Sequence, residues 1–514
     1  MTRSLIRVLP LVAAFGLIVS WTSQPAQSGA QQPSQGQKLA NAAEHNAMEL
    51  LGTDDLQARS AYQPWVQRYG NGRYILFVGH HTLGTNPVTG APLPSFNPLT
   101  GVNEENGVSI VDVSNPRRPV YLFHLPVSNG TGGGAQMVRV CGGSTLPIGN
   151  NKVYLLRAYA DSAHEIWDVT NPSSPQPVRT VSGGNPVIGS LAGTHKSYWE
   201  CDTGIAYIVG RRSTDTAAGW RPGNHIMIFN LSNPATPVFI RDWALHGQEP
   251  GAPLPPNFTA VPSIHGPISL GPTGNRVYFA YGTSSNGVMQ IVNRNTLLTG
   301  PADYTTAEIG RLVMQPAWGA HTSFPVLNLP IADWAPNAGG AVRDFVVVTS
   351  EAGGAFCQQQ IRHVTFMVDV TAQRTAQDPS RESRPQSVAT FQVPASSGDF
   401  CERGGRFGPH ATNEEFGSPF YGKIVFISYF NAGVLAVDIR DPYNPQEVAF
   451  FIPATTANTD FRCGTLNGVP NTCRQVIQTN NVATDDRGYI YIVDRANTGL
   501  HVLQLSGAAK KIIE

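Results

Sequence analysis

Four histidines lie in similar short motifs and could together bind a metal ion. They are His195 in GTHKSYW, His265 in SIHGPIS, His321 in GAHTSFP and His410 in GPHATNE. Imidazole is a common ligand of zinc, copper, iron and nickel, and three or four imidazoles around an open position form a catalytic type of site. The motifs therefore predict a metal centre, if the fold brings them to one point. Alternatively, the histidines are polar residues that line a wet channel.

Carboxylates near these motifs could support the metal or move protons. Glu351 in TSEAGG and Glu414 in TNEEF are the catalytic candidates, because each follows a predicted inner segment. A carboxylate that bonds the second nitrogen of a ligating imidazole fixes its tautomer, and Glu200 and Glu415 are further candidates for that role. The alternative is that these acids are surface or loop residues.

Three other polar positions bear on the same site. His80 and His81 are adjacent, so on a strand they face opposite ways and at most one could join an axial site. At the positions that match the histidine motifs in other repeats stand Gln136 and Asn480 or Asn481, which are poor metal ligands. The sequence therefore predicts a lopsided ring of ligands.

A repeated phrase positions these motifs. It consists of an apolar, alternating run, an Asp or Asn, and a turn with proline, as in GVSIVDVSNPRRPV. The marked residues, 56 to 76 positions apart, are Asp112, Asp168, Asn230, Asn293, Asp369 and Asp438. Alternation favours strands, the Asx side chain can cap the following turn, and proline ends the strand. Such a period indicates stacked supersecondary units.

Each unit contains an earlier strand, and there are seven of these. They are Tyr74–Gly79, Lys152–Arg157, Ile205–Gly210, Arg276–Gly282, Asp344–Ser350, Lys423–Tyr429 and Tyr489–Arg495. The sequence therefore predicts an all-β, seven-bladed β-propeller over residues 56–508. The last unit lacks an outer strand, which we expect a segment between Leu56 and Val66 to supply.

The N-terminus predicts export. Residues 1–30 have the charged start, apolar stretch and small-residue cleavage site of a signal peptide, and residues 31–55 read as a flexible lead. We expect a periplasmic or extracellular protein without a membrane span in the mature chain. The 35 basic and 35 acidic residues balance, so no global field favours nucleic acid.

Six cysteines follow the signal, which favours disulfides in an oxidising compartment. Cys463 and Cys473 bracket a short Gly/Asn/Pro loop and form the clearest pair. We expect the others to pair as Cys357 with Cys401 and Cys141 with Cys201, although six cysteines permit 15 connectivities.

The repeated IVDVSNPxxPV phrase resembles the LVIVD-repeat family of exported bacterial β-propellers. The most specific part is GPHATNEEF followed by YFNAGVLAVDIRDPYNPQEVAFFIP, within residues 408–453. Asn230 and Asn293 depart from the family's Asp. The resemblance implies the fold and export and carries little mechanism.

Two functions follow. In the first, the histidines hold a transition metal, with copper or iron favoured over zinc, and the chain is an oxidoreductase acting on a small-molecule substrate. Axial histidines in propellers are similar to those of the carotenoid-cleaving dioxygenases, which use iron, but a fold alone does not fix a function. In the second, the chain is a non-catalytic LVIVD-type propeller that binds a cell-envelope protein or glycan.

Overall fold

The computed structural model describes most of the chain after the predicted leader. The described residues are 42–514 except 87, 91–92, 94–95, 182–189, 257, 284–285, 315–316 and 373–379. The predicted signal peptide, residues 1–30, lies outside the described residues, as does the first part of the predicted lead.

Strands dominate the fold. The strands up to the end of blade one are β1 (Glu44–Asn46), β2 (Met48–Asp54), β3 (Ala61–Arg68), β4 (Tyr74–His80), β5 (Phe96–Asn97), β6 (Val102–Asn103), β7 (Gly107–Asp112) and β8 (Val120–Pro126). Blades two and three follow with β9 (Val138–Gly142), β10 (Val153–Tyr159), β11 (Ala163–Asp168), β12 (Gln176–Val181), β13 (Leu191–Ala192), β14 (Ser197–Trp199), β15 (Ile205–Arg212), β16 (His225–Asn230) and β17 (Val238–Trp243).

The second half repeats the plan. Blades four and five contain β18 (Ile264–Ser269), β19 (Arg276–Tyr281), β20 (Val288–Asn293), β21 (Glu308–Val313), β22 (Thr322–Pro330), β23 (Val342–Thr349), β24 (Thr365–Asp369) and β25 (Gln386–Phe391). The remainder are β26 (Ile424–Ser428), β27 (Val434–Asp438), β28 (Gln446–Ile452), β29 (Phe461–Leu466), β30 (Val469–Gln475), β31 (Thr479–Thr484), β32 (Ile490–Asp494) and β33 (Leu500–Leu505).

Helices are few and short. They are α1 (Gly271–Gly274), α2 (Arg294–Thr299), α3 (Phe400–Arg403) and α4 (Gly507–Lys510), with 3₁₀ turns at Leu56–Ala58, Cys357–Gln359 and Ala395–Ser397. In the described part of the chain, none of the helices has the length and apolar character needed to cross a membrane.

The strands form seven antiparallel sheets, so the chain is the all-β, seven-bladed β-propeller that the sequence predicts. From the axis outward, the sheets are β3-β4-β7-β8, β9-β10-β11-β12, β14-β15-β16-β17 with β13 also on β15, β18-β19-β20-β21, β22-β23-β24-β25, β26-β27-β28-β1 and β31-β32-β33-β2. Thr412 bridges Ile427, so residues 410–413 lie on the axial side of β26. First strands of neighbouring sheets contact each other, as β3 does with β9 and β31.

Seven clusters of buried apolar side chains lie between the sheets, one for each pair of neighbours. One cluster joins Leu76 and Val78 of blade one to Val493 and Val502 of blade seven, which closes the ring. Because each sheet buries both faces, burial of apolar surface holds the wheel together.

The Asx–proline phrase forms the turn between the third and fourth strands, as predicted. Oδ1 of Asp112 accepts the backbone N–H of Ser114 at 2.8 Å. The equivalent pairs are Asp168 with Thr170, Asn230 with Ser232, Asp369 with Thr371 and Asp438 with Arg440. In the degenerate fourth unit, Asn293 instead caps α2 through the N–H of Thr296.

The strand that closes the ring is not the expected one. An N-terminal segment does supply the outer strand of blade seven, but it is β2, paired with β33, and not residues 56–66. β1 and β2 both lie within the predicted flexible lead. The edge strand β2 is polar and half-exposed, so it lacks the apolar run that marks a buried strand.

The three expected disulfides are present, namely Cys141–Cys201, Cys357–Cys401 and Cys463–Cys473. The first joins the inner segments of blades two and three. The last closes the hairpin of β29 and β30, which projects from the loop before blade seven.

Candidate metal centre

The four predicted histidines occupy the same place in their blades, at a β-bulge on the innermost segment. In blade three, the N–H of His195 donates to the carbonyl of Val209, and the N–H of Val209 donates to the carbonyl of Lys196. His195 and Lys196 on the innermost segment thus both lie opposite Val209 of β15, which is the pattern of a β-bulge. Blades five and six have the same kind of bulge: His321 and Thr322 lie opposite Thr349, and His410 and Ala411 lie opposite Ser428. In blade four, the register of β18 shifts around His265. A bulge re-aims its side chain, here toward the axis.

The structure brings these four imidazoles into one group. Ring centroids are 4.8 Å apart for His195 and His265, and 3.8 Å apart for His265 and His321. The centroids of His321 and His410 are 4.2 Å apart. The Nε2 atoms of His195 and His265 lie 2.9 Å from each other.

Tyr62 joins the group and is the member that the motifs do not reveal. It is buried on β3, where the register shifts between Ala61 and Pro64. Its Oη lies 3.2, 3.3 and 3.4 Å from the Nε2 atoms of His195, His265 and His321. Only its position in the repeat could have revealed Tyr62, because blade one must also contribute a residue of its innermost strand to the axis.

Backbone carbonyls fix the tautomers of two imidazoles. Nδ1 of His265 donates to the carbonyl of His321 at 2.9 Å, and Nδ1 of His410 donates to the carbonyl of Asn480 at 2.6 Å. A carbonyl oxygen only accepts, so Nδ1 carries the proton in both rings and each Nε2 keeps a free lone pair. This is the orientation that a second bond gives to a metal-binding histidine.

Burial keeps the imidazoles neutral. It lowers the pKa of His195 to about 4, helped by the neighbouring cation of Lys196. The pKa values of His265, His321 and His410 lie well below the usual range, first because of burial and then because the neighbouring histidines and the cations of Lys196 and Arg495 disfavour a further positive charge. At neutral pH, no proton competes with a metal for these lone pairs.

The spacing of the donor atoms fits one coordination sphere. At metal–donor bonds of roughly 2.0–2.1 Å, neighbouring donors lie about 2.9 Å apart at a right angle and about 3.4 Å apart at a tetrahedral angle. The distance between Nε2 of His195 and Nε2 of His265, and the three distances from Oη of Tyr62 to Nε2 of His195, His265 and His321, run from 2.9 to 3.4 Å. The phenol can donate its one proton to the unprotonated Nε2 of His265, and its oxygen can accept from His195 or His321 only where those rings carry their proton on Nε2.

Glu351, the first catalytic candidate, borders this group. Its Oε1 lies 3.9 Å from Nε2 of His410 and accepts a hydrogen bond from Nη1 of Arg406 at 3.0 Å. One donor atom each from His321, Glu351 and His410 can be chosen within 4.8 Å of one another. The carboxylate is therefore held beside the imidazoles by an arginine.

Glu414, the second candidate, has a different environment. Its two oxygens pair with Arg139 and Lys196, and all three side chains are buried. Burial opposes ionisation, but the two cations outweigh it and lower the pKa of Glu414. These contacts form a buried ion triad across blades two, three and six.

The remaining acids near the motifs also bond elsewhere. Glu200 pairs with Arg294 between blades three and four. Glu415 accepts the N–H of Thr484, and burial, then the charge of Glu414, raises its pKa to about 7. In the described chain, no hydrogen bond or ion pair joins either acid to an axial histidine.

The adjacent histidines face different ways. His80 bonds Ser109 inside blade one through Nε2, at 2.7 Å. The ring centroid of His81 lies 5.0 Å from that of Tyr62, and its Nε2 is buried with no hydrogen-bond partner among the described residues. His81 thus stands at the edge of the axial group.

The non-histidine positions are supporting residues. Nδ2 of Asn480 donates to the carbonyl of Tyr62 at 3.2 Å, so blade seven links His410 to blade one. Gln136 lines a cavity of about 460 Å³ that also has His195 on its wall. The cavity therefore borders the axial group at His195.

Comparison with known proteins identifies one repeat. The profile of the LVIVD repeat family matches residues 102–124, which include β7. No curated protein sequence matches the chain.

Solved structures of similar shape are remote in sequence. The β-propeller domain of Cps50 (Swd1) from Myceliophteria thermophila has 9% identity and a TM-score of 0.44, covering 86% of this chain and 96% of that one. A hypothetical selenium-binding protein from Sulfolobus tokodaii has 10% identity and a TM-score of 0.43, covering 82% and 94%. A periplasmic gluconolactonase from Pseudomonas aeruginosa has 12% identity and a TM-score of 0.41, covering 85% and 99%. What the sequence comparison identifies is an LVIVD repeat in blade one.

Proposed function

We propose that the chain is a metal-dependent oxidoreductase whose metal is held on the propeller axis. Its ligands come from His195, His265, His321, His410 and Tyr62. The observation that carries the proposal is the 2.9–3.4 Å spacing of four donor atoms that come from four blades. Imidazole with a phenolate suits copper or iron, in keeping with the preference drawn from the sequence.

The bound metal would supply redox chemistry and Lewis acidity. The chain's own residues do the rest. Carbonyl acceptors hold His265 and His410 with Nε2 facing the axis. Glu351, steered by Arg406, is placed to hold or pass a proton beside His410. His195 also lies on the wall of the cavity that Gln136 lines.

We infer that the protein acts in the periplasm or outside the cell. Three disulfides among the described residues suit an oxidising compartment. Three cross-links would also stabilise a propeller whose exposed loops must persist outside the cell.

Metal content tests the proposal. Wild-type protein produced in an oxidising compartment should contain about one copper or iron ion per chain, measured by elemental analysis, because the neutral imidazoles are already assembled. Changing His265→Ala and His321→Ala together should remove most of it. The matched control, His45→Ala with His246→Ala, removes two histidines outside the axis and should retain the metal.

Equal metal in the axial variant and the control would contradict the proposal. So would metal-free wild-type protein that takes up neither Cu(II) nor Fe(II) on reconstitution. The non-catalytic envelope-binding function would then be the better explanation.

The phenol of Tyr62 allows a finer test. Tyr62→Phe keeps the ring but removes Oη, so metal affinity should fall by about 10-fold or more, with loss of the visible absorption of a metal phenolate. Tyr69→Phe is the control, since its hydroxyl bonds the carbonyl of Val169 between blades one and two. Unchanged affinity and spectrum in Tyr62→Phe would remove Tyr62 from the ligand set.

A further inference from the structure

A second cavity, of about 430 Å³, adjoins the axial group and is rich in arginine. Its wall includes Arg406 and Arg495, which lie in loops, and Arg462, which lies on β29. Among the lining residues the single acid is Asp460. A space of this size suits a small molecule, and the wall has a net positive charge.

Two of these arginines have donors with no partner in the chain. In the part of the chain that the structure describes, the guanidinium of Arg495 makes no hydrogen bond or ion pair, although its backbone carbonyl accepts from Nη2 of Arg462. Nε of Arg462 is buried without a hydrogen-bond partner among the described residues. An unpaired buried donor such as Nε of Arg462 is costly, and the uncommitted guanidinium of Arg495 stands on the same wall, so the two together indicate a ligand that accepts hydrogen bonds there.

The burial of Arg495 and the positive charge beside it also favour a bound anion. Burial, then repulsion by Arg406, lowers its pKa to about 10, which still leaves it cationic at neutral pH. A bound anion would relieve both effects. Planar guanidinium groups match carboxylate and phosphate oxygens by paired hydrogen bonds.

The cavity is linked to the axial histidines by one side chain. Arg406, over the ring of Phe430 at 5.5 Å, donates to Glu351, and Glu351 lies beside His410. An anion on Arg495 therefore lies within one small molecule's reach of the proposed metal.

The wall is braced. The Cys463–Cys473 bond closes the hairpin on one side of the cavity. The ring of Phe356 fills the space over Gly464, where a Cβ atom would come within 2.1 Å of it. A rigid wall favours a preorganised binding site.

We propose that this cavity binds the oxyanion group of the substrate, a small carboxylate or phosphate compound, and so orients the rest of the molecule toward the histidines. The inference rests on the proposed function for its role in catalysis, but the anion site itself can be tested without metal.

Calorimetric titration of metal-free protein with inorganic phosphate, and separately with succinate, tests the site. At least one probe should bind with a stoichiometry of about one per chain, and more weakly as salt increases. Arg495→Gln should weaken binding by about 10-fold or more. Arg462→Gln, a less buried change, should weaken it in the same direction if Arg495→Gln does not fold.

Arg117→Gln removes the same charge from an exposed loop and should bind the probe as wild type does. Equal affinity in the cavity variants and Arg117→Gln, or no saturable binding of either probe to wild type, would overturn the proposal. Metal analysis of the same proteins distinguishes the metal site from the anion site. Arg495→Gln should still contain the metal, whereas the variant with His265→Ala and His321→Ala should still bind the anion.

Discussion

Glu414→Gln should lower the free energy of unfolding by about 3–5 kcal/mol, the usual cost of breaking a buried ion pair by removing one partner. The carboxylate is 2% exposed and is paired with Arg139 and Lys196, whose side chains are equally buried. Glutamine keeps the shape but leaves two buried cations without their anion. Urea unfolding of the metal-free protein measures the loss.

The comparison variant is Glu514→Gln. Its partner Lys510 is on the surface, with both side chains more than half exposed, so the change should cost less than about 1 kcal/mol. A loss below about 1 kcal/mol for Glu414→Gln as well would show that the triad is not a buried network.

A triple change separates the source of the loss. Replacing Arg139, Lys196 and Glu414 together with Met, Met and Leu should restore much of the stability, because no buried charge is then left unpaired. Arg139 also stacks on Trp65 at 4.7 Å, and methionine retains part of that packing. Failure of the triple variant to exceed Glu414→Gln would assign the loss to packing instead.

The triad also shows where sequence reasoning reaches its limit. Glu414 stands 218 residues from Lys196 and 275 from Arg139, and their encounter depends on how three inner strands meet at the axis. Periodicity predicts that inner residues converge, but not which of them pair. A catalytic role for Glu414 therefore stays a prediction that depends on proximity in sequence.

The blades themselves were predictable because their signal is local. The Asx cap, the proline turn and the apolar strand lie within one short phrase, and Asp112 with Ser114 shows the bond that links them. Tyr62 and β2 were missed for the opposite reason. Tyr62 depends on a bulge, which no residue type announces, and β2 is an exposed edge strand whose pairing with β33 joins the chain ends.

The second large effect concerns acid. The free energy of unfolding of the metal-free protein should drop between pH 7 and pH 5. In the double variant His164→Gln with His501→Gln, this drop should be smaller than in wild type by about 4 kcal/mol. Burial lowers the pKa of His164 to about 3 and that of His501 to about 4. Both nitrogens of His164, and Nδ1 of His501, lack hydrogen-bond partners among the described residues.

The sign follows from proton linkage. Below a pKa of about 6.5, the unfolded state binds a proton at each histidine that the folded state refuses, so stability falls as pH falls toward the folded pKa. By pH 5, each group accounts for about 2 kcal/mol. The two glutamines cannot titrate, so their variant loses this part of the pH dependence, whatever its stability at pH 7.

Buried carboxyls act in the opposite direction in wild type. Burial raises the pKa of Glu415 to about 7 and that of Glu447 to about 8, so the folded state takes up protons there as pH falls. The stability that this proton uptake adds stops increasing near pH 4.5, because the carboxyls of the unfolded state also protonate there. Metal-free wild type should nevertheless lose stability between pH 7 and pH 5, because the four axial histidines, whose pKa values burial also lowers, add to the loss from His164 and His501.

Urea unfolding at a series of pH values, in EDTA, distinguishes the contributions. The comparison variant is His45→Gln, which removes an exposed ring that stacks on Phe451. If the double variant follows the wild-type curve with a constant offset, His164 and His501 do not bind protons on unfolding. Neutral imidazole buried in the blades would then not explain the acid response, and the same argument for the unprotonated state of the axial histidines would weaken with it.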